Sequence, residues 1–200
     1  MVIPRAVELV VIGASAGAIE ALSVLLRQLP AACLVPIAIV VHLQRNRESM
    51  LPQLFSQWSA LPVREPLDKE AVAGGVVWVA PSDYHLLVEA DRTFSLSIDP
   101  LVNFSRPSID VLFESAAEVY GAGVLAVVLT GANADGAAGA AAVRRAGGRV
   151  AVQDPASAHS KTMPDAAIAS ASPELVAALP ELSAWLARQL PTRPAIAGAP

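Results

Sequence analysis

Residues Leu9 to Leu22 read LVVIGASAGAIEAL, and the fold turns on how this stretch is read. Leu9 to Ile12 are four consecutive apolar residues, a short buried strand. Gly13-Ala14-Ser15-Ala16-Gly17 is a sharp turn of small residues, after which Ile19, Leu22, Leu25 and Leu26 recur at helical spacing. The pattern therefore predicts strand, tight turn and helix. The turn fits G-x-S-x-G, in which small flanking residues let the backbone bend tightly enough to lift a serine hydroxyl off the sheet edge. Ser15 is placed at a helix N-terminus. The backbone N–H groups of Ala16 and Gly17 lack an intrahelical acceptor there and point outward with the positive end of the dipole, which suits an oxyanion.

Two structural readings compete with a nucleophile. A dinucleotide-binding unit also opens with strand, glycine turn and helix, but it calls for G-x-G-x-x-G and an acidic residue ending the second strand. Here Ser15 occupies the middle glycine and the second strand ends in His42. A plain N-cap role for Ser15 is the stronger competitor, because serine is among the best caps. The partners of Ser15 must decide.

Working outward, Pro36 to Val41 is a second apolar strand ending at His42, and Glu48 to Trp58 repeats apolar residues on one helical face. Short apolar strands without alternation, separated by helices, indicate an α/β fold: a single doubly wound, mainly parallel sheet with helices on both faces. From Val63 to Asp99 the pieces are short and β-rich. They read as one or more hairpins with turns near Gly74-Gly75 and Asp91-Arg92, inserted in the sheet or attached to its edge. A helical pattern returns from Asn103, with Pro107 suited to its first turn, and GVLAVVLTG is a further buried strand. GANADG (131–136) opens onto an Ala-rich helix, RVAVQD is another strand, Asp165 to Ile168 begin a short helix, and one or two more lie between Pro173 and Leu190. Residues 1–190 are expected to form one domain, and the aperiodic residues 191–200 a disordered tail.

The whole chain narrows the function. Its 200 residues suit one core. Apolar runs such as Leu34 to Val41 fall well short of the roughly 18 residues that span a bilayer, so the chain is not expected to insert in a membrane. The start lacks the pattern of a secretory signal, which leads to a cytoplasmic expectation. Net charge is -4 and aromatics are 4%; with no basic run, neither a phosphate-binding stripe nor a base-stacking platform is expected, and nucleic acid is excluded as a partner. Cys33 is the only cysteine and carries no functional weight.

Three histidines make the search for a general base short. His85 lies in an alternating β segment and His159 in a loop; only His42 ends a core strand. Active groups in open parallel sheets gather beyond the carboxyl ends of strands, which would bring Ser15 and His42 together. Asp135, just past GVLAVVLTG, is the candidate orienting carboxylate. Its competitors are a plain capping role for the following helix and, as an alternative carboxylate, Asp154 after RVAVQD. Ser15, His42 and Asp135 occur in the order Ser, His, Asp, which differs from the α/β-hydrolase order.

With these residues in view, the sequence resembles the catalytic domain of the chemotaxis protein-glutamate methylesterases, the CheB family. The matching pieces are IGASAG, VVH, APSDYHL, RPSIDVLF, LTGANADGA, GGRVAVQD and MPDAAI, in order over most of residues 8 to 180. The resemblance implies a single α/β domain in which Ser15, His42 and Asp135 form the catalytic triad. It further implies demethylation of glutamate γ-methyl esters on a methyl-accepting chemotaxis receptor with release of methanol, deamidation of receptor glutamines, and no need of a cofactor or metal. Two departures stand out: Ala16-Gly17-Ala18 where many members have Thr-Gly-Gly, and Ala132 where many have Met. Regulated members also carry an N-terminal receiver domain. Only Met1 to Glu8 precede the first strand here, so the expected site is open at rest. The alternatives are a catalytically quiet module that docks on a chemoreceptor array and a nucleotide-binding domain.

Overall fold

The computed structural model of the chain describes residues 6–42 and 49–193. Strand β1 (Leu9–Ala14) leads into helix α1 (Ala18–Arg27), and β2 (Ile37–Val41) into the short α2 (Leu51–Phe55). Strands β3 (Val63–Arg64) and β4 (Val77–Val79) follow, then β5 (His85–Val88), β6 (Phe94–Ser97) and α3 (Ile109–Tyr120). The chain continues through β7 (Val124–Val128), α4 (Ala137–Arg145), β8 (Arg149–Gln153), α5 (Thr162–Ala171), β9 (Leu175–Ala177) and α6 (Leu179–Gln189).

Seven strands pair in the order β3-β4-β2-β1-β7-β8-β9, all parallel. Alternate residues of one strand serve opposite cores: Val10 and Ile12 pack with Leu22, Leu26, Phe55 and Leu186, whereas Leu9 and Val11 pack with Phe113, Val143 and Met163. Both faces are thus covered, α1, α2 and α6 on one side and α3, α4 and α5 on the other. That double burial is why the strands are continuous apolar runs. β1 is central, and the chain leaves β1 toward β2 but leaves β7 toward β8. The carboxyl ends of β1 and β7 therefore flank the point where the winding reverses, the place where such sheets hold their ligands.

The sheet departs from the sequence reading in its middle and at its ends. Gly74-Gly75 is not a hairpin turn. It precedes β4, which enters the main sheet beside β2, and a Cβ at Gly74 would strike the Leu34 carbonyl oxygen; the glycine serves close backbone approach. Strands β5 and β6 form a hairpin, with its turn at Asp91-Arg92, as a separate two-stranded sheet against α3. The helix expected over 48–58 is confined to Leu51–Phe55 in the described residues, α3 begins at Ile109 rather than near Asn103, and α5 starts at Thr162, ahead of the expected Asp165. Within the stretch expected to hold one or two helices, α6 forms at Leu179–Gln189, while Leu175–Ala177 is the edge strand β9, drawn out by pairing with Ala151 to Gln153. Residues 191–193, the start of the expected disordered tail, are tied down: Pro191 O accepts Leu34 N at 3.0 Å and Arg193 N donates to Ala32 O at 2.9 Å. Residues 194–200 lie outside the described set.

Candidate active site

The register of β1 and β2 places the first two groups. Ala14 pairs with Val41, so Ser15 and His42 are each one step past the last pair, on strands about 4.8 Å apart. His42 N donates to Ala14 O at 3.2 Å, and on the other side Ser15 N donates to Thr130 O at 2.9 Å. Ser15 is held between the ends of β2 and β7. It does not cap α1: the N-cap is Gly17, at φ 83, with no side-chain capping bond. A Cβ at Gly17 would come within 2.5 Å of His159 Cβ, so both conformation and space require glycine at the end of the turn. No described residue accepts a hydrogen bond from the N–H groups of Ala16 or Gly17, which lie just ahead of the positive end of α1.

Asp135 follows β7 but does not cap α4, whose N-cap is Gly136. Its fully buried carboxylate turns instead to the N-terminus of α3. Oδ2 accepts Ile109 N at 2.6 Å, and Oδ1 accepts Ser108 Oγ at 2.8 Å and Asp110 N at 3.2 Å. The approach of α3 depends on Gly13, where a Cβ would collide with Ile109 Cγ2. Asn103 Nδ2 donates to Asp135 Oδ1 and to Asp110 Oδ2, each at 2.8 Å. His42 Nε2 lies 2.7 Å from Asp135 Oδ2. Burial by itself raises the Asp135 pKa, but the bonds from His42, Asn103, Ile109 and Ser108 outweigh it and hold the carboxyl down at about 2. Asp110 goes the other way: burial and the neighbouring Asp135 charge push it up, against the Gly139 N–H and Asn103 amide bonds that lower it.

An ionised Asp135 can only accept, so His42 Nε2 carries the proton and Nδ1 presents the lone pair. Ser105 Oγ is 3.4 Å from Nδ1, a long contact. The Ser15 hydroxyl makes no hydrogen bond to His42, but both side chains line one open cleft of about 470 Å³ together with Ile19, Glu20, Trp58 and His159. In unliganded enzymes hydrogen bonds between catalytic groups are often long or poorly aligned.

The competing residues have other work. Asp154 caps the short turn after β8 by accepting Ala156 N at 2.9 Å. His85 is buried, with Ser108 N donating to its Nδ1 at 3.2 Å and its Nε2 3.1 Å from Pro100 O, so it ties the hairpin to the start of α3. Asn103, Thr130 and His159 were not read from the sequence as site residues. Thr130 Oγ1 donates to Ala16 O at 2.8 Å and accepts Ser160 N at 2.9 Å, fastening the Ser15 turn. A capping signal was legible at Ser108, which directly precedes the periodic apolar residues of α3. Among the described residues no group of three His, Cys, Asp or Glu side chains is arranged to hold a metal ion, and no helix is long and apolar enough to cross a membrane.

Residues 10–186 match the protein-family model described as CheB methylesterase. A protein-glutamate methylesterase/protein-glutamine glutaminase of Paramagnetospirillum magneticum is 37% identical over 187 residues, 92% of this chain and 49% of its own length. A Leptospira interrogans relative, named provisionally for the same activities, is 44% identical over 176 residues, 88% of this chain and 91% of its own. The crystal structure of the Thermotoga maritima CheB methylesterase catalytic domain superposes with a TM-score of 0.87 at 31% identity, covering 92% of this chain and 99% of that one.

Proposed function

The chain belongs to the CheB methylesterase family, and from that membership and its site we propose that it hydrolyses glutamate γ-methyl esters on a methyl-accepting chemotaxis receptor in the cytoplasm. His42 Nδ1 takes the Ser15 proton as Ser15 Oγ attacks the ester carbonyl. The N–H groups of Ala16 and Gly17 receive the oxyanion. Collapse of the tetrahedral adduct breaks the bond to the methoxy group, which takes the proton from His42 and leaves as methanol. Water, deprotonated by His42, then opens the acyl-enzyme to give the glutamate carboxylate, and the proton returns to Ser15. With a glutamine substrate the same steps release ammonia.

The observation that carries this reading is the 2.7 Å His42 Nε2–Asp135 Oδ2 bond beside Ser15. It fixes the tautomer and stabilises the imidazolium formed in each step. The test is methanol release from methylated receptor membranes. Release by the wild-type chain and none by Ser15→Ala supports the reading; equal release by both, or by neither, contradicts it.

A further inference from the structure

Phe104 is 96% exposed beside the site, in a backbone position that does not favour it. Residues Val102 to Ser105 form a two-residue hairpin turn, closed by Ser105 N to Val102 O at 2.9 Å and Val102 N to Ser105 O at 3.2 Å. Both central residues have positive φ, Asn103 at 50 and Phe104 at 63. This is the pattern of a type I′ turn, where asparagine suits the first central position and glycine the second. A bulky residue with positive φ is an outlier, so local conformation does not account for Phe104. Burial does not account for it either.

The turn is fastened to the site on both sides of the ring. Asn103 Nδ2 donates to Asp135 Oδ1 at 2.8 Å, and Ser105 Oγ is 3.4 Å from His42 Nδ1. The turn that carries Phe104 therefore borders His42, which lines the Ser15 cleft. The same loop exposes Ile98 at 72% and Leu101 at 38%, and Arg106 Nη1 braces its arms by donating to the carbonyls of Ile98 and Asp99. Exposed apolar residues gathered on one loop mark a contact surface for another macromolecule.

We infer that Phe104 is a docking contact for the polypeptide substrate. It packs on apolar side chains that flank the methylated glutamate in the receptor segment, while the Ser15 cleft takes only the ester itself. The occupant is the substrate protein, because the surface is continuous with the site where that protein's ester must bind. This inference rests on the function proposed above, and the experiment separates the two.

Steady-state hydrolysis is measured on methylated receptor membranes and on a small ester, N-acetylglutamate γ-methyl ester, for the wild type, Phe104→Gly and Phe104→Leu. Glycine removes the ring at a position whose backbone geometry suits glycine, so the fold is kept. Phe104→Gly is expected to lose about tenfold in kcat/KM on receptor membranes, mainly through KM, as for an aromatic contact at an interface, and to keep kcat/KM on the small ester. Phe104→Leu is expected to retain most of the receptor activity. Equal receptor activity in wild type and Phe104→Gly overturns the inference. Parallel losses on both substrates also overturn it, since the turn would then position His42 and not the substrate. A wild type that hydrolyses the small ester but not the receptor overturns the functional reading, and the docking inference with it.

Discussion

Asp135 accepts the N–H of Ile109, the first residue of α3, at 2.6 Å on the same Oδ2 that receives His42 Nε2. The carboxylate is thereby bound to a helix N-terminus, where the macrodipole and unsatisfied N–H groups favour negative charge. One interaction both stabilises the fold and keeps the acceptor of His42 ionised.

The nucleophile proposed for the reaction gives the simplest prediction. Ser15 caps no helix, so Ser15→Ala is expected to fold with an unchanged melting temperature while kcat falls by about 10⁶. Methanol release and thermal unfolding of the same preparation check both halves; residual activity above about a tenth of wild type removes Ser15 from the mechanism.

Asp135 and Asp154 should separate cleanly. Asp135→Asn favours the wrong His42 tautomer, with a precedent loss of about 10⁴ in rate, and it places an amide where donors converge from Asn103, Ser108 and the α3 backbone. Asp154→Asn keeps an oxygen for Ala156 N and should stay within a few-fold of wild type. Kinetics of the two variants on one small ester decide; a reversal of the two effects reassigns the carboxylate.

Acid stability carries the signature of the same carboxylate. The folded pKa of Asp135, about 2, lies below the unfolded value near 3.9. Its contribution, on the order of 2 kcal/mol, is therefore complete above about pH 4 and is lost as pH falls from about 4 toward 2. Denaturant unfolding across that interval should show a shallower pH dependence for Asp135→Asn than for the wild type. An identical slope would mean that Asp135 is not held ionised by folding.

Thr130 fastens the Ser15 turn through Ala16 O and Ser160 N, and Thr130→Val removes those bonds with little change of shape. A loss of about 1–2 kcal/mol in stability is expected, with kcat down by about 10- to 100-fold because the nucleophile is displaced. Unfolding and single-turnover rates measure the two effects; full activity would show that the turn holds its geometry without Thr130.

The sequence was informative where local rules and the fold agree. Leu9 to Ile12, the glycine turn and the apolar face of α1 could be read because a strand buried on both faces and an amphipathic helix leave opposite periodicities. β3 and β9 have two and three residues, too few for any period, and their pairing with β4 and β8 creates them. Gly74-Gly75 does turn the chain, but into the parallel strand β4 and not into a hairpin, because a turn glycine does not show in sequence which strand the chain will pair with next. Ser15, His42 and Asp135 could be placed near one another because strand ends in a parallel sheet share an edge. Asn103 and Thr130 could not: Asn103 meets Asp135 across 32 residues and Thr130 meets Ala16 across 114, and nothing local to either residue encodes that meeting.

The central claim, that the site makes Ser15 the reactive hydroxyl, is tested most directly by labelling with a fluorophosphonate and locating the adduct by peptide mass spectrometry. Ser105 is the internal control, since its hydroxyl lies 3.4 Å from the same His42 nitrogen. One adduct per chain on Ser15, absent in Ser15→Ala and strongly slowed in Asp135→Asn, is the expected result. An adduct on Ser105, or labelling of Ser15 at the same rate in Asp135→Asn, would contradict it.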